Sequence, residues 1–294
     1  MSKKLLFIYN PKSGKGLIKS NLSDITDVFV REGFEVSIHS TQSQGDATQK
    51  VRACAHEFDR IVCAGGDGTL DEVVTGVMES EAGCAIGYIP AGSTNDFGNS
   101  IGLGKGMLAD ARTAAGKHSF LCDIGKFGTD YFVYVAAFGI FTNASYSTDQ
   151  DLKNMLGHAA YVLQAISTLG ETRRIRMQVE HDGKVFFDEF IFGMVTNSKS
   201  VGGTSAMLPE KVSLDDGLFE VTLIKTPTNP IELNEVAGFF AGINHDTEMV
   251  YHITTSRIKF TSMDKVRWAL DGEFGGEHES IVIQNLQKAI EIIA

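Results

Sequence analysis

The sequence predicts two domains: an α/β domain with a parallel sheet and helices on both faces, followed by an antiparallel β-sandwich. The chain has 294 residues, more than one hydrophobic core usually covers. Up to about residue 122, apolar strand-like runs alternate with helix-like segments, which is the order of a parallel sheet covered by helices. Beyond that point strands mostly follow one another. We therefore expect domains at 1–122 and 123–294, and allow the extreme C-terminal segment to pack back on the first.

The first half opens with the elements of a βαβ unit. Leu5 to Tyr9 is an apolar run, and Val36 to His39 is a second one. The helix between them is predicted by apolar residues at helical spacing: Ile18, Leu22, Ile25, Val28 and Phe29. The alternation continues with a helix from about Asp46, a strand from Ile61 to Ala64, a helix after Thr69 and a strand from Ala85 to Ile89.

The second half has the pattern of an antiparallel sheet. Asp182-Gly183 separates two strand-like runs, and because both residues tolerate positive φ this pair is a strong signal for a hairpin turn. One helix is expected near Asp151 to Thr168. The remaining expected strands are Phe219 to Ile224, Ile258 to Phe260, Val266 to Leu270 and Ile281 to Ile283.

The composition is that of a globular protein that does not span a membrane. No apolar run approaches the ~20 residues that cross a bilayer. The short apolar stretch near the N-terminus does not fit a signal peptide, so we expect a cytoplasmic protein. A formal net charge of −11 disfavours nucleic-acid binding, and contact with a lipid surface would need a local basic patch. No two of the four cysteines are two positions apart, which argues against a zinc site or a redox pair.

The stretch IVCAGGDGTLDEVVTGV, residues 61–77, combines a strand, a glycine-rich turn and a helix. The amides of Gly65 to Gly68 can converge on one point, and the helix adds its positive N-terminal end, so the turn suits an anion such as phosphate. Asp67 would repel that anion unless a cation such as Mg²⁺ lies between them. Thr69 and Glu72 have the spacing of a capping box. The alternative is a tight turn of packing glycines.

Two more polar turns follow strands and should lie at the same edge of the parallel sheet. The first, Asn10 to Gly16, departs from the Walker A pattern because Tyr9 and Leu17 replace the leading glycine and the Ser/Thr. Alone it is equally compatible with a plain strand-to-helix loop. The second, Pro90 to Phe97, offers hydroxyls, an amide and a carboxylate. Three polar turns at strand ends together favour a binding site.

The order and the sequences of these turns, NPKSG, GGDGT and PAGSTNDF, resemble those of the diacylglycerol kinase catalytic family. That family includes bacterial soluble lipid kinases and is related to sphingosine kinases. Later stretches that also resemble the family are CDIGK at 122–126, LDDGLF at 214–219 and LDGEFGG at 270–276. The resemblance implies an ATP-binding first domain, a second domain for a lipid substrate, and ATP and Mg²⁺ as cofactors. The implied reaction phosphorylates a lipid hydroxyl, with diacylglycerol as the expected substrate and phosphatidic acid as the product.

The resemblance also assigns nucleotide contacts to the three turns and to Thr41. Where many relatives have GGDGTLNE, this chain has Asp71, so a charge replaces an amide. The implied nucleotide-binding residues are Asn10, Pro11, Lys12, Ser13, Gly14, Thr41, Gly66, Asp67, Gly68, Thr69, Leu70, Asp71, Glu72 and Ser93.

Glu273 is the implied general base, because it matches the family's DGE motif. A carboxylate within hydrogen-bond reach helps to take the proton from a lipid hydroxyl as phosphorus is attacked. Asp67 is the second implied catalytic residue. The implied Mg²⁺ ligands are Ser213, Asp216 and Leu218 at a structural site, and Asp67, Asp96 and Asp123 at a catalytic one. Asp96 and Asp123 are expected to contact the catalytic ion through water. The alternatives are an exposed glutamate after a hairpin, a plain turn at Asp216, a helix cap at Asp96 and a strand-end turn at Asp123.

Two functions of other classes remain open. A soluble-metabolite kinase of the NAD kinase type would also account for GGDG, and a non-catalytic nucleotide-binding regulator would keep that turn without needing Glu273. For the lipid kinase, membrane contact is expected to be transient and peripheral, with Lys12, Lys15 and Lys19 as candidates for a basic face. A homodimer is expected by analogy alone.

Overall fold

The computed structural model describes residues 3–140, 174–209 and 211–294. The chain forms two compact units, unit 1 from Met1–Ile124 with Leu286–Ala294, and unit 2 from Gly125–Asn285. The two-domain architecture is therefore confirmed. The helix predicted near Asp151 to Thr168 lies outside the described residues.

Unit 1 alternates strands and helices. Its elements are β1 (Lys3–Tyr9), α1 (Leu17–Arg31), β2 (Phe34–Ser40), α2 (Asp46–Cys54), a 3₁₀ turn (Ala55–Glu57), β3 (Arg60–Gly65), α3 (Asp67–Ser80), β4 (Ala85–Pro90), α4 (Asp96–Ser100), α5 (Met107–Ala115) and the start of β5 (Ser119–Phe127). Strand β1 pairs in parallel with β2 and β3, and β3 pairs in parallel with β4. Because parallel strands end at one edge, the loops after β1, β3 and β4 share that edge.

The apolar pattern of the first half explains this packing. Leu5 to Ile8 are all buried, as expected for a strand with both faces covered. Helix α1 buries Ile18, Ile25 and Phe29, and the Phe29 ring meets the Phe7 ring edge-on with centroids 5.3 Å apart. The predicted apolar face of α1 is thus the face that packs on the sheet.

The predicted capping box at the start of α3 is wrong. The helix begins at Asp67, its N-cap is Gly66, and no side chain caps it. Thr69 therefore already lies inside the first turn. The carboxylate of Glu72 instead accepts hydrogen bonds from the amides of Gly45 (2.7 Å) and Ala47 (3.0 Å), at the start of α2. Glu72 thus connects two helices rather than closing its own.

Unit 2 consists mainly of antiparallel strands. Its elements are the end of β5, β6 (Asp130–Phe132), β7 (Val135–Gly139), β8 (Ile175–His181), β9 (Lys184–Thr196), β10 (Phe219–Lys225), α6 (Pro230–Phe240), β11 (Val250–Thr255), β12 (Arg257–Leu270) and β13 (Glu273–Ile293). Neighbouring strands pair in the order β11, β10, β9, β7, β12, β13, and β8 pairs with both β9 and β12. The end of β13 belongs to unit 1, where Ile292 pairs in parallel with Ile86 of β4.

Turn chemistry accounts for the hairpins of unit 2. Asp182-Gly183 connects β8 and β9, with φ of 46° and 73°, so the predicted hairpin is confirmed. Strand β12 was expected as two runs and is one strand, with a shift of register between Thr261 and Val266. The residues of that shift are mostly exposed, and Met263 is 93% exposed, which is why the apolar pattern breaks there.

Trp268 lies at the centre of the unit 2 core. It is 1% exposed, and its ring centroid lies 4.8 Å from that of Phe138, 5.2 Å from that of Phe127 and 5.3 Å from that of Phe260. This aromatic cluster fixes the part of β12 that leads to the turn before Glu273. Within the described ranges, no helix is long and apolar enough to cross a membrane.

Candidate active site

The loop after β1 is fastened to the loop after β3. The amide of Asn10 donates to the carbonyl of Ala64 at 3.0 Å, and its side-chain amide reaches the hydroxyl of Thr69 at 3.4 Å. The Ser13 hydroxyl accepts the amide of Gly66 at 3.3 Å. Two of the three predicted turns therefore lie together.

The third turn joins them through close backbone contact. A Cβ built on Gly14, whose φ is +55°, would collide with the carbonyl oxygen of Ala91. A Cβ on Gly92 would come within 2.6 Å of the Cα of Gly66. Glycine is required at these positions because the backbones approach too closely for any side chain. The predicted grouping of the three turns is confirmed.

Asp67 is buried and holds the start of α4. Its carboxylate accepts the amide of Asp96 at 3.0 Å and that of Phe97 at 3.3 Å. The Tyr88 hydroxyl donates to the carbonyl of Gly65 at 3.2 Å. Burial, followed by the charge of Asp67, raises the pKa of Tyr88 well above its usual value, so the phenol stays protonated as a donor.

The other two acidic residues of the expected catalytic metal site are also buried. Asp96 is 1% exposed, and Asp123, whose carboxylate accepts the amide of Lys288 at 2.7 Å, is fully buried. Over the described ranges, no group of three or more His, Cys, Asp or Glu residues could hold a metal ion. The catalytic Mg²⁺ assignment of Asp67, Asp96 and Asp123 stays a prediction.

Thr41 and Glu72 lie next to the same loops. The amide of Thr41 donates to the carbonyl of Tyr9 at 3.0 Å, directly before the loop after β1. Glu72, through its bonds to Gly45 and Ala47, holds the segment that follows Thr41. Both of these nucleotide-binding candidates therefore position backbone around the three turns.

The remaining nucleotide-binding candidates differ in exposure. Leu70 is fully buried, so its side chain belongs to the core and only its backbone could meet a ligand. Lys12 and Ser93 are exposed, and Pro11 and Asp71 are half-buried. Gly68 and Thr69 lie in the first turn of α3.

In unit 2, Glu273 follows a two-residue turn. Asp271 and Gly272 have φ of 49° and 87°, and Leu270 pairs with Glu273 across the turn. Glu273 is exposed. The sequence treated Asp271 as a turn residue only, yet its carboxylate is buried and accepts the amides of three consecutive residues, 133–135.

The predicted structural metal site is a compact turn before β10. The Ser213 hydroxyl donates to Asp215 at 2.8 Å, the amide of Leu218 donates to Asp216 at 3.0 Å, and the carbonyl of Leu218 accepts from Asn285 at 3.1 Å. No sequence pattern singled out Glu220, which is buried beside this turn. Burial and, next, the charge of Asp216 raise the pKa of Glu220 to about 7.

Comparison with known proteins places the chain in a family. The model of the diacylglycerol kinase catalytic domain matches residues 4–127, and that of the YegS C-terminal NAD kinase beta sandwich-like domain matches residues 135–294. A Bacillus subtilis protein named diacylglycerol kinase is 35% identical over 277 residues, which cover 93% of this chain and 91% of the relative. The chain belongs to the diacylglycerol kinase family. The predicted lipid kinase is confirmed at that level.

Other members of the diacylglycerol kinase family agree in length and fold. A diacylglycerol kinase of Staphylococcus carnosus is 33% identical over 295 residues, covering 99% of this chain and 95% of the relative. A solved protein of Bacillus anthracis, described as a candidate diacylglycerol kinase, superposes with a TM-score of 0.83 at 26% identity, covering 99% of this chain and 97% of that one. The shared fold therefore covers both units of this chain.

Proposed function

We propose that the chain transfers the γ-phosphoryl group of ATP to the hydroxyl of diacylglycerol, forming phosphatidic acid. The observation that carries this proposal is the meeting of the three glycine-bearing loops in a chain whose full-length relatives are named diacylglycerol kinases. A kinase needs bare backbone amides to approach phosphate oxygens, and these loops supply them.

The nucleotide is assigned to the loops of unit 1. Asn10 to Gly14 and Gly66 to Leu70 offer backbone amides, and α3 directs its positive N-terminal end toward the same turn. The absence of a Cβ at Gly14 and Gly92 lets the loops lie against each other. Thr41, Glu72 and Ser93 complete the proposed set, with Asp71 at the position where many relatives have asparagine.

We assign Mg²⁺ to this site on the type of ligand alone. The buried carboxylates of Asp67, Asp96 and Asp123 are hard oxygen donors, which Mg²⁺ prefers. When bound, the ion would neutralise charge on the transferred phosphate. The contribution of the chain itself is that the amides of Asp96 and Phe97 hold the carboxylate of Asp67 in place at the glycine turn.

Glu273 is the proposed general base. Its exposed carboxylate can reach an incoming lipid, and it would take the proton of the attacking hydroxyl. In the turn before β10, Ser213, Asp216 and Leu218 offer hard oxygen atoms, so we assign a second, structural Mg²⁺ to them. The protein would act in the cytoplasm and touch the membrane surface transiently; a homodimer stays a prediction.

The deciding assay measures phosphorylation by the purified protein with labelled ATP and Mg²⁺. The acceptors are diacylglycerol, a sphingoid base and a polyprenol in mixed micelles, and NAD and a sugar phosphate in solution. NAD is the informative soluble acceptor because the second family model is described as NAD kinase-like. We expect label in phosphatidic acid, and loss of it in Glu273→Gln. Label in NAD alone would support a soluble-metabolite kinase, and ATP binding without any product would support a regulator.

A further inference from the structure

The carboxylate of Asp271 receives three backbone amides from the segment that follows β6. The amide of Val133 lies 2.6 Å from Oδ2, and the amides of Tyr134 and Val135 lie 3.0 and 2.9 Å from Oδ1. The amide of Asp271 itself donates to the carbonyl of Val135 at 2.9 Å. Asp271 is 4% exposed, so these charge-assisted bonds form away from water and fix the turn strongly.

The turn itself does not require this arrangement. Asp182-Gly183 is also an Asp-Gly pair with positive φ at both residues, and it forms its hairpin with a side chain at the surface. There the Asp182 carboxylate contacts His181 and Thr255, both at 3.1 Å. The burial of Asp271 therefore does something beyond making a turn, since it fastens the turn to a second segment of unit 2.

We propose that Asp271 is the positioning residue for Glu273, an inference that rests on the function proposed above. Only Gly272 separates the two residues, and glycine alone would leave the backbone of Glu273 free to shift. The three amides hold Asp271 on one side, and the pairing of Glu273 with Leu270 holds the other. A base must meet its proton within a fraction of an ångström, so an anchored turn supports turnover without touching substrate.

Asp271→Asn is the sharpest variant. Asparagine has nearly the same size and is favoured in a two-residue turn with positive φ, so the backbone is preserved. It has one acceptor oxygen, which can keep the bonds to Tyr134 and Val135, and its NH₂ group then opposes the amide of Val133. Asp271→Gly keeps the turn and removes all three bonds. Asp182→Asn is the matched control, because it makes the same change in the other Asp-Gly hairpin.

We expect Asp271→Asn to lower kcat by about 10- to 100-fold, the effect of a small displacement of a catalytic group. The KM for ATP should stay unchanged. The kcat of Asp271→Gly should fall further than that of Asp271→Asn. Asp182→Asn should turn over at the wild-type rate. Amide exchange at Val133 to Val135 should become faster in Asp271→Asn and stay unchanged in Asp182→Asn, which tests the contact independently of activity.

The decisive comparison is the double variant with Glu273→Gln. If Asp271 acts through Glu273, the double variant should be no slower than Glu273→Gln alone, since the base that it positions is already lost. The inference would be overturned if the kcat losses of Asp271→Asn and Glu273→Gln multiplied in the double variant. A wild-type kcat in folded Asp271→Asn, or failure of both Asp271 variants to fold, would also overturn it. Each of these outcomes would leave the kinase assignment intact. A wild-type protein without turnover on any lipid would instead overturn the proposed function, and the positioning role with it.

Discussion

At the scale of single residues, buried and half-buried carboxylates in this protein accept backbone amides from other segments. Asp67 does so for α4, Glu72 for α2, Asp123 for Lys288 and Asp271 for residues 133–135. A carboxylate has four acceptor sites, so one side chain can satisfy several amides that would otherwise be buried without a partner. Changing one such residue should disturb a loop while the core stays packed.

The first prediction separates the structural role of Asp67 from its proposed catalytic role. Asp67→Asn should lose about 1–3 kcal/mol of unfolding free energy, because one of two buried amides loses its acceptor. It should also abolish turnover. The matched control is Asp110→Asn, since Asp110 is 2% exposed and accepts the amides of Gly104 and Lys105. Melting curves and kcat are measured for both; equal activity in the two variants would remove Asp67 from the catalytic set.

The second prediction concerns the close approach at Gly14. Gly14→Ala forces a methyl group toward the Ala91 carbonyl, so the loops should separate. The KM for ATP should rise by about tenfold, the effect of ~1.4 kcal/mol of lost binding. Gly83→Ala is the control: Gly83 has φ of +63° with open space around it, so alanine costs about 1–2 kcal/mol of strain without a collision. An unchanged KM in Gly14→Ala would separate this loop from the nucleotide.

At the scale of elements, the sequence predicted the strands and helices of unit 1 and the meeting of its three polar turns, and it missed individual side-chain contacts between distant segments. Alternating apolar runs predicted the strands and helices of unit 1, because burial follows the period of each element. The expected capping box at Thr69 failed because the helix begins two residues earlier, at Asp67. The bonds of Asp271 could not be predicted, since Val135 is 136 positions away in the chain. Motifs identified the turns, and only tertiary structure gives their partners.

The third prediction concerns the turn before β10 as a metal-binding element. Added Mg²⁺ should raise the melting temperature of the wild type, since an ion that binds the folded state stabilises it by mass action. Asp216→Ala should lose most of that response. Asp215→Ala is the control from the same turn, because Asp215 accepts the Ser213 hydroxyl and is not a proposed ligand. If the wild type and both variants respond equally to Mg²⁺, this turn has no structural metal.

At the scale of the whole molecule, charge must be reconciled with a lipid substrate. A formal net charge of −11 repels anionic lipid, so attraction has to come from a local surface. Lys12, Lys15 and Lys19 are all exposed at the loop after β1 and the start of α1. They are close in sequence, which concentrates their charge on one part of unit 1.

The fourth prediction tests that surface. Replacing Lys12, Lys15 and Lys19 with Glu should lower activity on vesicles containing anionic lipid more than activity on mixed micelles, because the attraction acts only at a charged surface. The control replaces Lys105, Lys117 and Lys184 with Glu, three exposed lysines elsewhere, for the same change in net charge. Activities are compared at low and high salt. Equal losses in both lipid formats would show that the three lysines do not dock on the membrane.

The end of β13 has a consequence for how the chain is made. Among the described residues, strand β4 obtains its second neighbour from the segment 286–294, which the ribosome synthesises after all of unit 2. During translation, the edge of β4 therefore stays unpaired while residues 91–285 are made, a time in which an open strand edge can pair with another chain. A nascent chain stalled before residue 286 should expose that edge to chaperones, and emergence of residues 286–294 should hide it.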